Sequence, residues 1–137
     1  MSLIYEQAFL GDPVAKGRPR FTRQGRAYTP AKTREYESYG KALAKTKWQQ
    51  QPYDGPVHAE IMVYLAPPKS WSRKKRLAAL NGEVLPTTRP DLDNYCKAAL
   101  DILNEVVIKD DSCVISVLTA KLYSNSPRVA IKLYTLA

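Results

Sequence analysis

Arg89-Pro90-Asp91-Leu92-Asp93-Asn94-Tyr95-Cys96-Lys97, followed after a short apolar run by Lys109-Asp110-Asp111-Ser112, is the stretch around which the chain is organised. Pro90 stops whatever precedes it and biases Arg89 toward an extended backbone. Asp91 or Asp93 can then cap a helix. The spacing predicts that helix from about Leu92 to Val106, with Leu92, Cys96, Ala99, Leu100 and Leu103 as its buried stripe. Asp93, Lys97 and Asp101 recur every fourth residue and share another face. Asp110 and Asp111 fall in a turn leading into a strand, Cys113 to Tyr123. Packed together, helix and strand would bring both acidic ends of the segment to one place.

Carboxylates crowded together repel, and one of them takes up a proton unless a cation relieves the repulsion. Mg²⁺ accepts oxygen ligands and usually keeps waters beside one or two carboxylates. Such an ion can polarise a phosphate and activate a water. Taken singly, an aspartate at a helix start is more often a cap, an aspartate pair more often a turn, and a helical lysine more often solvated. Together, in a chain rich in Lys and Arg, they point to a metal site that cuts a phosphodiester bond.

The composition agrees. The chain has 137 residues, is 45% hydrophobic and carries a net charge of +8. That length suggests one domain, 1–137, with a real core. The charge selects a polyanionic partner, nucleic acid first and an anionic membrane surface second, against the plainer reading of a merely soluble basic protein. No apolar run reaches the length of a membrane span. Glu6 and Asp12 interrupt the N-terminus, so no signal peptide is expected. Cys96 and Cys113 lack zinc spacing and read as buried, reduced thiols of a cytoplasmic protein. With His58 as the one histidine, His-based metal sites and serine triads lack parts.

Elsewhere, Ile4 to Leu10 reads as a strand. Gly11 to Arg26 reads as a loop carrying Lys16, Arg18, Arg20, Arg23 and Arg26, with Phe21 and Tyr28 interleaved. Its glycines allow close approach to phosphate, its cations neutralise it, and its aromatics can stack on bases or sugar. Thr29 as N-cap and Pro30 at the first position open a helix to about Trp48, with Tyr36, Tyr39 and Leu43 on its apolar face. Val57 to Leu65 alternates as a half-buried strand. Ser70-Trp71-Ser72 starts a short helix bearing Arg73, Lys74, Lys75 and Arg76, closed by Asn81-Gly82. Val114, Leu118, Ala120 and Leu122 mark the inward side of the next strand, with Ser116 an exception, and Val129, Ile131 and Leu133 mark the last. Ser124 to Pro127 would join these two as an antiparallel hairpin. The expected fold is α+β, a small mixed sheet packed with helices.

Arg89-Pro90-Asp91-Leu92-Asp93-Asn94, with Lys97 one turn on and Asp110-Asp111-Ser112 before a strand, resembles the RusA family of Holliday junction resolvases, common in prophages. Lys16-Gly17-Arg18-Pro19-Arg20-Phe21 followed by Tyr28-Thr29-Pro30 resembles that family's N-terminal signature. The resemblance implies a two-fold homodimer that nicks four-way DNA junctions symmetrically in recombination and repair. It implies Mg²⁺ as cofactor, with Mn²⁺ as a substitute. Asp91, Asp93 and Asp111 match the metal-binding catalytic aspartates, and Lys97 the lysine that stabilises the transition state or positions the phosphate. Asp110 would support Asp111, or replace it if the register shifts, and Lys121 matches a recurrent basic position. The rival is a non-catalytic protein that binds branched DNA with its aspartates as caps; it explains the charge but not the two-part acidic cluster.

Overall fold

The structure, a computed structural model, describes residues 1–136. Strand β1 (Ser2–Leu10) leads into a two-stranded ribbon, β2 (Arg20–Phe21) and β3 (Ala27–Tyr28). Helix α1 (Ala31–Lys47), strand β4 (Val57–Leu65), helix α2 (Arg73–Leu80) and helix α3 (Leu92–Leu103) follow, and strands β5 (Val114–Tyr123) and β6 (Arg128–Thr135) close the chain. The main sheet has the order β1-β6-β4-β5. β4 runs parallel to β5 and antiparallel to β6, and β6 is antiparallel to β1. The mixed sheet with helices is the expected α+β arrangement.

β4 sits inside the sheet because its alternation is complete: Val57, Ala59, Ile61 and Val63 are wholly buried. Val129, Ile131 and Leu133 of β6 extend that layer, as do Tyr5 and Phe9 of β1. Ala99, Ile102 and Leu103 of α3 and Ala44 of α1 cover it. A strand with one face this apolar gains most when both of its edges are paired as well.

That preference overturns the expected hairpin. β5 and β6 are consecutive, yet β4 lies between them. The connection Ser124–Pro127 therefore crosses two strand spacings, about 10 Å. Its ends are held by Ser124 N–H to Leu65 O (2.9 Å) and Gly11 N–H to Pro127 O (3.1 Å).

Val114 packs on the core as expected, but beyond the register break the inward side of β5 is the reverse of the one expected. Ala59, Ile61 and Val63 are opposite Val117, Thr119 and Lys121, so these three face the helices. Leu118, Ala120 and Leu122 lie on the other face, opposite Glu60, Met62 and Tyr64. Ser116 is no exception to this order; Ile115 is the extra residue at a register break, which re-aims the strand.

α1 packs on α3 through small residues. Thr33, Gly40 and Ala44 are its buried positions, and of the expected apolar face Tyr36 and Leu43 pack half-buried against the core while Tyr39 does not. Tyr39 is exposed and donates to Leu10 O, while Tyr36 is half-buried and burial pushes its hydroxyl up to about 12. Thr29 lies one residue too early to cap: Pro30 is the N-cap, and no side chain bonds the helix start. A Cβ on Gly40 would stand 2.4 Å from Ile102 Cδ1 and 2.6 Å from Cγ1. Gly40→Ala is therefore expected to destabilise the fold by about 1–3 kcal/mol through overpacking, outweighing alanine's better helix propensity. The drop in the urea midpoint at unchanged slope measures it.

α3 ends at Leu103, short of the expected Val106. The N–H groups of Val106 and Val107 fold back to Leu103 O, and Glu105 takes a positive φ of 66°. This tight reversal puts Val106, Val107 and Ile108 into the core. α2 starts and stops as expected, with Ser72 Oγ accepting from Lys75 N–H and Gly82 at φ 81° just past its end.

Candidate active site

Asp91 occupies the N-cap position of α3, but its side chain accepts no bond from the helix. Asp93 lies in the first turn. Both are exposed, as is Lys97 one turn further on. The commonest structural use of an aspartate here, capping, is thus not made. Among the described residues neither carboxylate has an ion-pair partner, which leaves both available to another ligand.

The buried stripe of α3 is Tyr95, Ala98, Ala99, Ile102 and Leu103. Only Ala99 and Leu103 belong to the stripe expected from sequence. Leu92, Cys96 and Leu100 are half-buried and, with Asp93, Lys97, Val117 and Thr119, line an open groove of about 540 Å³ between α3 and β5. Burial, with the charge of Asp93, pushes the Cys96 thiol up, so it remains protonated. Because the helix-facing side of β5 is the polar one, Lys121 reaches the segment before α3. Its Nζ donates to Thr88 O and Pro90 O, both at 3.1 Å, and ties the approach to Asp91 onto the sheet.

The second acidic element divides its two aspartates by role. Asp110 accepts from Ser112 N–H (3.0 Å) and caps the short 3₁₀ turn Asp111–Cys113; the Ser112 hydroxyl and then its backbone N–H hold this carboxyl below the usual range. Asp111 donates its backbone N–H to Asn104 Oδ1 (3.0 Å), while its carboxylate has no hydrogen bond among the described residues. Asn104 carried no sequence signal for this role, which depends on the turn folding back on the helix end.

The expected convergence of the two elements does not occur within one chain. Asn104 is the C-cap of α3, so Asp111 stands at the end of the helix opposite Asp91 and Asp93. Twelve residues of helix separate those ends by about 18 Å at 1.5 Å per residue. Among the described residues no three His, Cys, Asp or Glu side chains form a group that could hold a metal ion. One chain alone offers Asp91 and Asp93 at one end and Asp111 at the other. The three-carboxylate donor set implied for Mg²⁺ is not met within it.

The basic loop divides as well. Lys16 does not face solvent as a phosphate contact: its Nζ lies 2.6 Å from Glu37 and 2.7 Å from Asp101, and its N–H donates to Asn94 O. Burial alone would lower this ammonium, but the bonds and charges of Asp101 and Glu37 outweigh it and hold it above its ordinary value. Lys16 is the tie between the loop, α1 and α3. Arg18, Arg20, Arg23 and Arg26 are exposed, and none has an ion-pair partner among the described residues. Arg20 belongs to the β2–β3 ribbon, which also exposes Phe21 (68%) and Tyr28 (46%). Arg18, Arg20 and Lys32 line a second cavity of about 540 Å³ with Pro90 and Tyr95, so cations adjoin the start of α3. Lys32, in the first turn of α1, carried no sequence signal for this placement. His58 lies away from all of this, on the open face of the sheet beside Ser116 and Glu60.

No helix among the described residues is long and apolar enough to cross a membrane. The chain is 40% identical over 126 residues to the uncharacterized protein YqaN of Bacillus subtilis (strain 168), an alignment covering 88% of this chain and 89% of that protein. A family model described as Endodeoxyribonuclease RusA matches residues 11–134, which include the arginine ribbon, Asp91, Asp93, Lys97 and Asp111. The chain therefore belongs to the RusA family of endodeoxyribonucleases.

Proposed function

We propose that the protein is a Mg²⁺-dependent endodeoxyribonuclease that resolves four-way DNA junctions by paired, symmetric nicks, acting as a homodimer in the cytoplasm during recombination and repair. The observation that carries this reading is the start of α3. Two exposed aspartates, neither bonded to the helix start, open α3, and Asp93 lines one groove with Lys97, in a chain whose family cleaves DNA. Asp91, Asp93 and Asp111 are the proposed metal-binding residues, for Mg²⁺ or in its place Mn²⁺; since Asp111 stands at the other end of α3 in the same chain, it would reach the pair only from the second subunit of the homodimer. Asp111 takes precedence over Asp110, whose carboxylate is engaged by Ser112. Lys97 stands where its ammonium offsets charge developing on a phosphate oxygen near Asp93. Arg18, Arg20, Arg23 and Arg26 hold the DNA arms, a contact that fixes register and carries the salt dependence. A two-fold dimer suits a substrate that needs matching cuts on opposed strands.

A synthetic four-way junction incubated with the protein and Mg²⁺ tests the reading. Paired nicks on opposed strands are expected. A junction that is bound but left intact at every Mg²⁺ and Mn²⁺ concentration would place the protein with non-catalytic branched-DNA binders.

Lys121 has a supporting part in this scheme. Lys121→Met frees the carbonyls of Thr88 and Pro90 and leaves the approach to Asp91 loose. Nicking is expected to slow about 10–100-fold, as when the group orienting a ligand is removed. Junction affinity should stay within about twofold, because Lys121 contacts protein rather than phosphate. Quench-flow rates and gel-shift affinities read the two quantities separately.

A further inference from the structure

Helix α2 carries charge that the acidic site does not use. Between Glu60 and Glu83 the chain has no acidic residue, while Lys69, Arg73, Lys74, Lys75 and Arg76 follow one another closely. All five are exposed, and none has an ion-pair partner among the described residues. Arg73, Lys74 and Lys75 occupy the first turn, where the helix start already carries positive partial charge, so their placement costs stability. α2 gives little back to the core: Ala79 is its one buried residue, and Leu77 is 50% exposed. A charge pattern that opposes its own helix and serves no core marks a surface kept for an outside partner. The cations are not scattered. Lys69, Arg73 and Arg76, with Ser124 and Asn125, line an open groove of about 400 Å³. Lys75 is held apart, its Nζ 4.1 Å above the Trp71 ring.

The groove lies at the acidic end of the molecule. Trp71 packs edge-on against Tyr123, the last residue of β5, with ring centroids 5.4 Å apart. Tyr123 follows Lys121 on the helix-facing side of that strand, opposite Leu65. Lys121 in turn donates to Pro90 O, directly before Asp91. Three residues of strand, about 10 Å, separate Lys121 from Ser124 at the groove. Phosphates along one DNA strand are about 3.4 Å apart, so this span is about three nucleotides. On the other side of Pro90 the cations are Arg18, Arg20 and Lys32. We infer that Lys69, Arg73 and Arg76 form a second phosphate-binding surface, which takes the backbone of a DNA arm a few nucleotides from the scissile bond, on the flank away from the arginine ribbon. This surface presupposes the junction-cutting function and adds where a further part of that substrate is held. A polyanion is the partner that meets several neighbouring cations at once. Ser124 and Asn125 add neutral donors, as phosphate contacts commonly do. Held on both flanks, the DNA strand is fixed in register over Asp91 and Asp93.

Arg73→Gln/Arg76→Gln removes two of the groove cations. Junction affinity at physiological salt is expected to fall about tenfold, and the slope of log affinity against log salt to shrink by about 1.8, which is about 0.9 for each lost phosphate contact. Lys45→Gln/Lys47→Gln, in the last turn of α1, makes the same change in net charge and should leave that slope as in wild type. The urea midpoint of the α2 variant should equal or exceed that of wild type, since a cation leaves the helix start. A chain lacking Cys96 and Cys113, with Ser70→Cys carrying a tethered iron–EDTA group, reads the location. Strand scission confined to segments within a few nucleotides of the branch point is expected. Scission spread evenly along the arms, or none, overturns the proposal. So does a salt slope unchanged from wild type, which would leave the cations of α2 to an acidic protein surface, or one that falls equally in the α1 variant. If wild type leaves junctions uncut in Mg²⁺ while the slope falls in the α2 variant alone and scission is confined, the α2 surface stands and the nuclease reading falls.

Discussion

Asp91→Asn or Asp93→Asn is expected to abolish junction nicking in Mg²⁺, by about a thousandfold or more, which is about 4 kcal/mol of barrier. The structure makes this a clean experiment. Neither side chain caps α3, and both are exposed, so the fold should lose less than about 0.5 kcal/mol. Each substitution keeps the shape of the side chain and removes a negative charge that would face a phosphate. Junction binding should therefore persist or tighten, because the change reduces repulsion for a polyanion. Gel shifts at fixed salt and single-turnover nicking rates separate binding from chemistry. Unchanged cutting by both variants would remove these residues from the site, whatever the family assignment. Asp110→Asn provides the contrast. Its carboxylate is held below the usual range by Ser112, so its loss acts on the turn and only indirectly on Asp111.

How far the sequence carried the fold depended on whether neighbouring residues or distant ones set each feature. β4 was legible because Val57, Ala59, Ile61 and Val63 meet one demand, burial. α2 was legible because Ser72 and Gly82 act on their own backbone neighbours. β5 misled because two demands conflict along it. Thr119 and Lys121 face the helices, where they serve the groove and the Thr88–Pro90 segment, while Leu118 and Leu122 face the other way. An argument that places apolar residues inward chooses the wrong side of such a strand. α3 misled for a related reason: Leu92, Cys96 and Leu100 are apolar yet rim an open groove. The hairpin failed because a short link says which strands are consecutive, not which are paired.

The candidate residues show the same division. Asp91, Asp93 and Lys97 share a helix start, and their spacing alone puts them together. The separate roles of Asp110 and Asp111 rest on single hydrogen bonds to Ser112 and Asn104, which residue type does not encode. Lys16 looked like its arginine neighbours until Glu37 and Asp101, remote in the chain, closed around it. The distance between the two acidic elements was hidden for another reason. Both flank α3 in sequence, but a helix holds its ends apart, and β5 returns along it so that Lys121 rather than Asp111 meets Pro90.

Lys97→Ala should separate catalysis from binding most sharply among the basic residues. Lys97 is exposed, lies one turn after Asp93 and has no ion-pair partner among the described residues. Its charge is therefore free to meet a phosphate beside the acidic end of α3. A positioned cation that acts where charge develops contributes about 10²–10³ in rate, so single-turnover nicking should fall by that factor. Ground-state affinity should fall by no more than about threefold, the loss of one phosphate contact among several arginines. Lys97→Arg keeps the charge but replaces a compact ammonium with a planar fork, and it should recover binding fully and rate only in part. Lys16→Ala should behave in the opposite way, lowering thermal stability while leaving the rate per folded molecule near wild type, because Lys16 holds α1 and α3 together through Glu37 and Asp101. Equal losses of rate and affinity in Lys97→Ala would make it an ordinary phosphate contact, and the charge compensation assigned to it would have to come from the arginine ribbon.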